Sequence, residues 1–538
     1  MKRKIIPTII SLLICGIMTV GCTNSATTNS SQTNMETNTD KETDVTNNDT
    51  LNSDMFIENL KTSYYVQEGS FKNMDTIELA SQKQLISCFG NNAGSSYLVP
   101  FLPPAPNQDP AAGIQTEIYQ WPDEEPSEYY DPSNTDNYPA NPYFSPVGWS
   151  YKLAEDEAVV LIGELPPECK YYSFINYIFF TQVKEGKDYS NEKGFFQIGN
   201  ENIGFYHPVF GSLSAPINQT NIKSANGEIF GSKFALVITG DQNTYAKIKD
   251  ALITAGISEN IINESPIPSA SLNMGLEKGK DTFTTLMRIS QPENAEDYQT
   301  YIDSLSDTMQ VYRITPKDDS ETSAPYTLAD LRERGTGVHE ISLLPEAPQA
   351  LDEIRSNLIE QYSDEYTYEE FSPDIAVPEG MTAYLNDINA QGDNRDAAYT
   401  MTANFTLNSD EDFIVVYGIN HVKTNKASYS NTVLYSRPML NGVVSVYDSS
   451  YEGSAEQYLD DSFENRDSYY VYKLARTEMD DYTAVIPYSE GNPQGEYYGV
   501  DNGDILLLAY RSYLEPETGV GPSYYEIVYD RAIVFHKK

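Results

Sequence analysis

The sequence predicts a mainly β fold with a few helices (α+β): an N-terminal domain mixing sheet and helix, then a β-sandwich-like domain. Three observations carry this. Short runs rich in Val, Ile, Tyr and Phe recur between turn residues, as in EAVVLIG at 157–163, CKYYSFINYIFF at 169–180 and KFALVIT at 233–239. Apolar residues at helical spacing are confined to a few stretches. Beyond residue 400 the strand patterns follow one another with almost no helix between them, as a sandwich requires.

The chain opens with Lys2, Arg3 and Lys4 ahead of an apolar run at 5–18, broken only by Pro7, Thr8, Ser11 and Gly16. That run falls short of the roughly 20 apolar residues of a spanning helix and reads as an export signal over residues 1–21. Its end, Thr19-Val20-Gly21-Cys22, resembles the lipobox of bacterial lipoproteins, with Thr19 where leucine is usual. The resemblance implies that the signal is cut before Cys22 and that the Cys22 thiol is lipidated. The chain would then sit on the extracytoplasmic face of the cell membrane by a lipid anchor. Residues 22–54 are Thr, Asn, Ser and Asp with almost nothing apolar, and are expected to be a disordered tether.

The first domain is expected over 55–315. Asp75 and Glu78 form a capping box for a helix in TIELASQKQLISC, closed by Gly90. From 100 to 146 the chain is rich in Pro, Asp, Asn and Tyr, which marks a long loop. Asn243 is the expected cap of a helix in NTYAKIKDALITA, and a second helix is expected over 295–305 before a strand at 310–315. Residues 316–345 read as a crossover. The second domain, 346–538, starts with a helix carrying Leu351, Ile354, Leu358 and Ile359 and continues as strands. Asn441-Gly442 is the expected tight turn between two of them. No repeat of fixed period is visible, which disfavours a solenoid or propeller. NPYFSPVGWSYKLAEDEAVVLIG followed by KYYSF is similar to stretches of bacterial surface proteins built from two β-sandwich-like domains. The similarity implies an architecture and transfers no residue or activity.

Composition narrows function mainly by exclusion. With 79 acidic and 35 basic residues the net charge is −44, a field that repels phosphate polymers, so nucleic acid is not an expected partner. There is no phosphate-binding P-loop, and Gly335-x-Gly337 and Gly519-x-Gly521 are only fragments of a dinucleotide fingerprint, so no nucleotide is expected either. No Gly-x-Ser-x-Gly elbow occurs. Ser190 to Lys193 fits Ser-x-x-Lys but has no Lys-Thr-Gly with it. His207, His339, His421 and His536 are too far apart for a local metal pair, and no Cys-x-x-Cys exists.

Calcium is the one candidate cofactor. In DINAQGDNRDAAY, Asp387, Asn389, Asp393 and Asp396 crowd around Gly392 like the oxygen ligands of a calcium loop, although Ala398 stands where a bidentate Glu belongs. Once the signal is cut and Cys22 lipidated, Cys88 and Cys169 remain, either as a disulfide or as two small buried hydrophobes.

Tyrosine is in excess, 42 against 20 phenylalanines. Sheet propensity accounts for many, while exposed ones could stack on sugars or anchor a partner. The binding candidates are Tyr119, Trp121, Tyr129 and Tyr130 of the long loop, with His421; Tyr497, Tyr498, Tyr524 and Tyr525 are further exposed candidates. The expectation is therefore a lipid-anchored surface binding protein for a glycan or peptide ligand. The alternative is an extracytoplasmic hydrolase using paired carboxylates. A concave site at the two-domain junction, entered by His421, Asp393 or Asp396, would be the place to look.

Overall fold

The computed structural model describes residues 50–81, 87–106, 108, 149–189, 198–200, 204–317 and 323–538. Strand outweighs helix, 34% to 21%, so the fold is mainly β with helices packed on its outside. In the N-terminal half the strands are β1 Tyr64–Glu68, β2 Ser70–Asn73, β3 Ser95–Phe101, β4 Ala158–Glu164, β5 Cys169–Gln182, β6 Ile198–Asn200, β7 Gly204–Ser212, β8 Ile217–Asn218, β9 Lys233–Thr239, β10 Ile262–Pro266, β11 Thr282–Pro292 and β12 Gln310–Pro316. The C-terminal half contributes β13 Tyr366–Phe371, β14 Asp374–Ile375, β15 Ala397–Met401, β16 Phe413–Ile419, β17 Tyr429–Ser436, β18 Asn441–Tyr447, β19 Tyr469–Ala475, β20 Thr483–Val485, β21 Leu506–Tyr513 and β22 Arg531–Lys537.

These strands form four sheets, and the two halves share one plan. The first half holds β1-β12-β4-β9-β10 and β2-β3-β11-β5-β7-β6; the second holds β13-β22-β16-β19-β20 and β14-β15-β21-β17-β18. Position for position, β13 stands where β1 does, β16 where β4 does and β21 where β11 does. Even the parallel pairs match, β9 with β10 and β19 with β20. Backbone detail repeats too. Gln291 (φ 51°) and Leu514 (φ 46°) are left-handed residues three places after Arg288 and Arg511. The pairs Phe89-Gly90 and Gln391-Gly392 are left-handed before β3 and β15. The duplication survives in sequence as CFGNNAGSSY at 88–97 and AQGDNRDAAY at 390–399, too little to stand out as a periodic repeat.

Alternation along the strands sets the layers. In β11, Met287 and Ile289 meet Val159 and Leu161 of β4 in one core, while Leu286 joins the cluster on the opposite face of that sheet. In β21, Leu506, Leu508 and Tyr510 pack with Ile414 and Val416 of β16, and Leu507 and Ala509 face the other way. Helices cover the outer sheets. Phe56 and Leu60 of Ser53–Leu60 and Ile248 and Leu252 of Gln242–Thr254 pack on Ala158 and Val160. Leu351, Ile354 and Leu358 of Ala347–Tyr362 pack on Phe413 and Val415. At about 1.5–3 kcal/mol per buried large side chain, this packing holds a helix that would be marginal alone in water.

Two local expectations change. The cap of Gln242–Thr254 is Asp241, whose carboxylate accepts from Thr244 N at 2.8 Å, so the helix starts before Asn243. Asn441 and Gly442 lie in β18 rather than in the turn before it. Gly442 N donates to Asn91 Oδ1 at 2.9 Å, and a Cβ on Gly442 would sit 2.8 Å from Asn91 O. Close backbone approach, not turn geometry, selects that glycine.

Candidate functional site: two buried arginines facing one cleft

The two inner sheets place equivalent residues at equivalent positions. Arg288 on β11 pairs in register with Tyr97 of β3 and Ser173 of β5. Arg511 on β21 pairs with Tyr399 of β15 and Asn431 of β17. Four residues beyond Ser173 and Asn431 come Tyr177 and Tyr435.

Each guanidinium uses the same three kinds of contact. Arg288 donates from Nη2 to Tyr177 Oη and to the Gly392 carbonyl, both at 2.8 Å, and from Nη1 to Tyr399 Oη at 3.1 Å. Arg511 donates from Nη2 to the Gly90 carbonyl at 3.0 Å and to Tyr435 Oη. The carbonyl comes from the opposite half in both cases. Arg288 lies 5.8 and 5.7 Å from the rings of Tyr97 and Tyr177, and Arg511 lies 5.5 and 5.4 Å from those of Tyr399 and Tyr435.

The two crossing loops are held alike. Gly392 N donates to Phe210 O and Gly90 N to Leu440 O, each at 2.9 Å. Tyr177 Oη donates to Asp393 O at 2.8 Å, and Tyr435 Oη to Asn91 O at 2.7 Å. Both carbonyls belong to left-handed glycines, Gly90 at φ 70° and Gly392 at φ 72°. At Gly392 a Cβ would also stand 2.6 Å from the Phe210 ring.

Between the sheets lies a cleft that is partly open to solvent. Trp149, Phe179, Phe210 and Leu286 line one wall, Leu440 and Leu507 the other, and both arginines reach it. Its lining includes no Asp or Glu among the described residues.

The electrostatics are unusual. Arg288 is 7% exposed and Arg511 6%, yet among the described residues neither has a carboxylate within ion-pair distance. Arg288 Nε and Arg511 Nη1 are buried and have no hydrogen-bond partner among the described residues. A guanidinium cannot deprotonate. Burying one costs several kcal/mol, which ring contacts worth about 2 kcal/mol and hydrogen bonds offset without cancelling the charge. Asp396 feels the Arg288 charge, but burial pushes its carboxyl up to about 6, and its Oδ2 accepts from Tyr171 Oη at 2.9 Å. Of the other buried cations, Arg313 bonds both oxygens of Glu157 at 2.9 and 2.8 Å and Lys426 lies 2.7 Å from Glu515 and from Glu526, whereas Arg476 and Lys152 have no carboxylate within ion-pair distance among the described residues and donate to backbone carbonyls, Arg476 Nη1 to Pro487 O at 3.1 Å and Lys152 Nζ to Lys280 O at 2.6 Å.

The calcium candidates face different protein donors. Asp387 lies 2.7 Å from Lys184 and 3.1 Å from Lys187. Asn389 Oδ1 accepts from Gln391 N at 2.8 Å. Asp393 accepts from Ser212 N and Oγ, both at 2.7 Å, and from Gly380 N at 2.9 Å; burial nevertheless pushes it up to about 6. Its counterpart in the first half is Asn91, so this position needs an acceptor and not a charge. Among the described residues no group of three or more His, Cys, Asp or Glu is placed to hold a metal.

Of the two states expected for the remaining cysteines, the structure has the buried, unbridged one. Cys88 and Cys169 are free thiols in separate clusters on opposite faces of one sheet; Cys88 Sγ donates to Thr76 O at 3.6 Å and Cys169 Sγ to Tyr171 O at 3.5 Å. Burial pushes both thiols up to about 12.

His421 is buried away from the cleft lining, its Nδ1 2.8 Å from Glu340 and its Nε2 3.5 Å from Asp530, so it is no surface binding residue. Cys22, Tyr119, Trp121, Tyr129 and Tyr130 lie outside the described residues, as does the Ser190–Lys193 motif. Tyr525 is 86% exposed, while Tyr497 and Tyr498 pack partly buried against the cluster holding Tyr177 and Phe210.

Sequence reasoning missed Arg288 and Arg511. Each stands alone in a run otherwise apolar or small, FTTLMRIS and LLLAYRSY, and the paired loops at 88–97 and 390–399 were the accompanying signal.

No protein-family model matches the chain, and no curated protein matches it. Among solved structures it is similar to an uncharacterised protein from Burkholderia cenocepacia, with 8% identity over 89% of this chain and 85% of that one, at a TM-score of 0.34. It is also similar to the VPA0106 protein from Vibrio parahaemolyticus, with 9% identity over 71% of this chain and 87% of that one, at a TM-score of 0.29.

Proposed function

We propose that this chain is a lipid-anchored extracytoplasmic binding protein whose ligand is a small organic anion held between the inner sheets by Arg288 and Arg511. The observation that carries the reading is the pair of buried guanidiniums that reach one cleft with no Asp or Glu in its described lining, in a chain where acids outnumber bases 79 to 35. A ligand oxygen beside the guanidiniums would supply the missing charge, and a side-chain shift would turn the buried Arg288 Nε and Arg511 Nη1 towards it. The apolar walls suit a hydrocarbon or aromatic body. An acidic sugar or a peptide terminus has the same carboxylate, which keeps the glycan or peptide expectation within this class. Paired-carboxylate hydrolysis gains no support from a cleft without lining acids.

Calorimetric titration of the purified full-length chain with hexanoate at neutral pH is expected to show saturable binding, weakened about tenfold or more when R288Q and R511Q are combined. Neither heat nor a melting shift with hexanoate, benzoate or inorganic phosphate would overturn the reading. The anchor is tested separately: Cys22→Ala is expected to move the protein out of the membrane fraction or leave its signal uncut, and unchanged fractionation with normal processing would contradict it.

A further inference from the structure

The ligand class can be narrowed, on the premise that the cleft binds an anion. We propose that the cleft takes a dianion, a compact molecule with an acidic group towards each end, one for each arginine. Arg288 and Arg511 are not one binding residue and one structural residue. Each lies against two tyrosine rings, each holds one glycine carbonyl from the opposite half, and each retains one buried guanidinium nitrogen without a partner among the described residues. Internal duplication has kept both environments, so whatever satisfies one leaves the other equally unsatisfied.

The two charges also belong to one site. Tyr399 takes a hydrogen bond from Arg288 on its hydroxyl and has Arg511 against its ring, so a single tyrosine spans the gap. A monoanion neutralises one guanidinium and leaves the second buried and uncompensated. A molecule with two acidic groups neutralises both, and its apolar middle would lie against Phe210 and Leu440, the left-handed residues that the two loops grip.

The test uses the full-length chain and linear α,ω-dicarboxylates from succinate to suberate against monocarboxylates of equal length, titrated by calorimetry at one ionic strength. One dicarboxylate is expected to bind about tenfold or more tighter than its monocarboxylate partner. R288Q and R511Q are each expected to abolish that preference while still binding the monocarboxylate. Equal affinity for both classes at every length would overturn the dianion inference and leave the anion cleft standing. Binding of neither class would overturn both, and the wild-type comparison decides without any variant that must fold.

Discussion

Arginine cannot shed its proton to escape burial, whereas a buried acid can, and this difference separates Arg288 and Arg511 from Asp393 and Asp396 of the crossing loop. The two aspartates move up to about 6; Asp393 has its oxygens on Ser212 and Gly380, while Asp396 accepts from Tyr171 on Oδ2 and has no hydrogen-bond partner on Oδ1 among the described residues. His421 shows a third outcome. Burial opposes its charge, but Glu340 and then Asp530 outweigh burial and hold it up to about 10. Its folded value therefore lies above the unfolded value of about 6.5, so its stabilisation is complete below about pH 6.5 and is lost as pH rises towards 10. The difference in unfolding free energy between wild type and His421→Gln, from urea denaturation, is expected to be constant below pH 6.5 and to shrink between pH 7 and 10. A difference that stays constant to pH 10 would show that His421 is neutral in the fold. At this scale the sequence pointed to polar residues in polar company, Asp387 to Asp396 and His421, which prove to be engaged with donors and acceptors of the protein itself. An arginine inside a strand reads as a surface residue by alternation alone, so the two that matter were not legible until the opposing sheet was in place.

The elements that cross between halves are the loops at 88–92 and 390–394. Gly90 and Gly392 are both left-handed, but their surroundings differ: a Cβ on Gly90 meets nothing within 4 Å, and one on Gly392 meets the Phe210 ring at 2.6 Å. Gly90→Ala should therefore cost only the left-handed penalty of about 1–2 kcal/mol. Gly392→Ala should cost more and weaken anion binding, because Phe210 lines the cleft. Urea midpoints for the two variants check this, and equal losses would mean that the Phe210 contact is relieved without cost. Strands β4, β5 and β9 and the helix Ala347–Tyr362 were legible from periodicity. Asn441-Gly442 was misread because a glycine selected by a neighbouring backbone looks, in one dimension, like a glycine selected by a turn.

For the whole molecule, the mainly β class was legible, but its duplicated plan was not. Two diverged copies leave no period to detect, and the similarity lies in strand order, left-handed residues and one loop. Those loops explain why residues 48–538 form one compact unit: each half supplies the carbonyl that holds the other half's arginine. The central claim is that the interface so made is an anion site. Crystals of the chain grown with 4-bromobenzoate test it most directly through the anomalous signal of bromine. The expected result is a bromine peak in the cleft, with the carboxylate in hydrogen-bond reach of Arg288 Nε or Arg511 Nη1. Bromine found only elsewhere, with both arginines unchanged in an empty cleft, would contradict it.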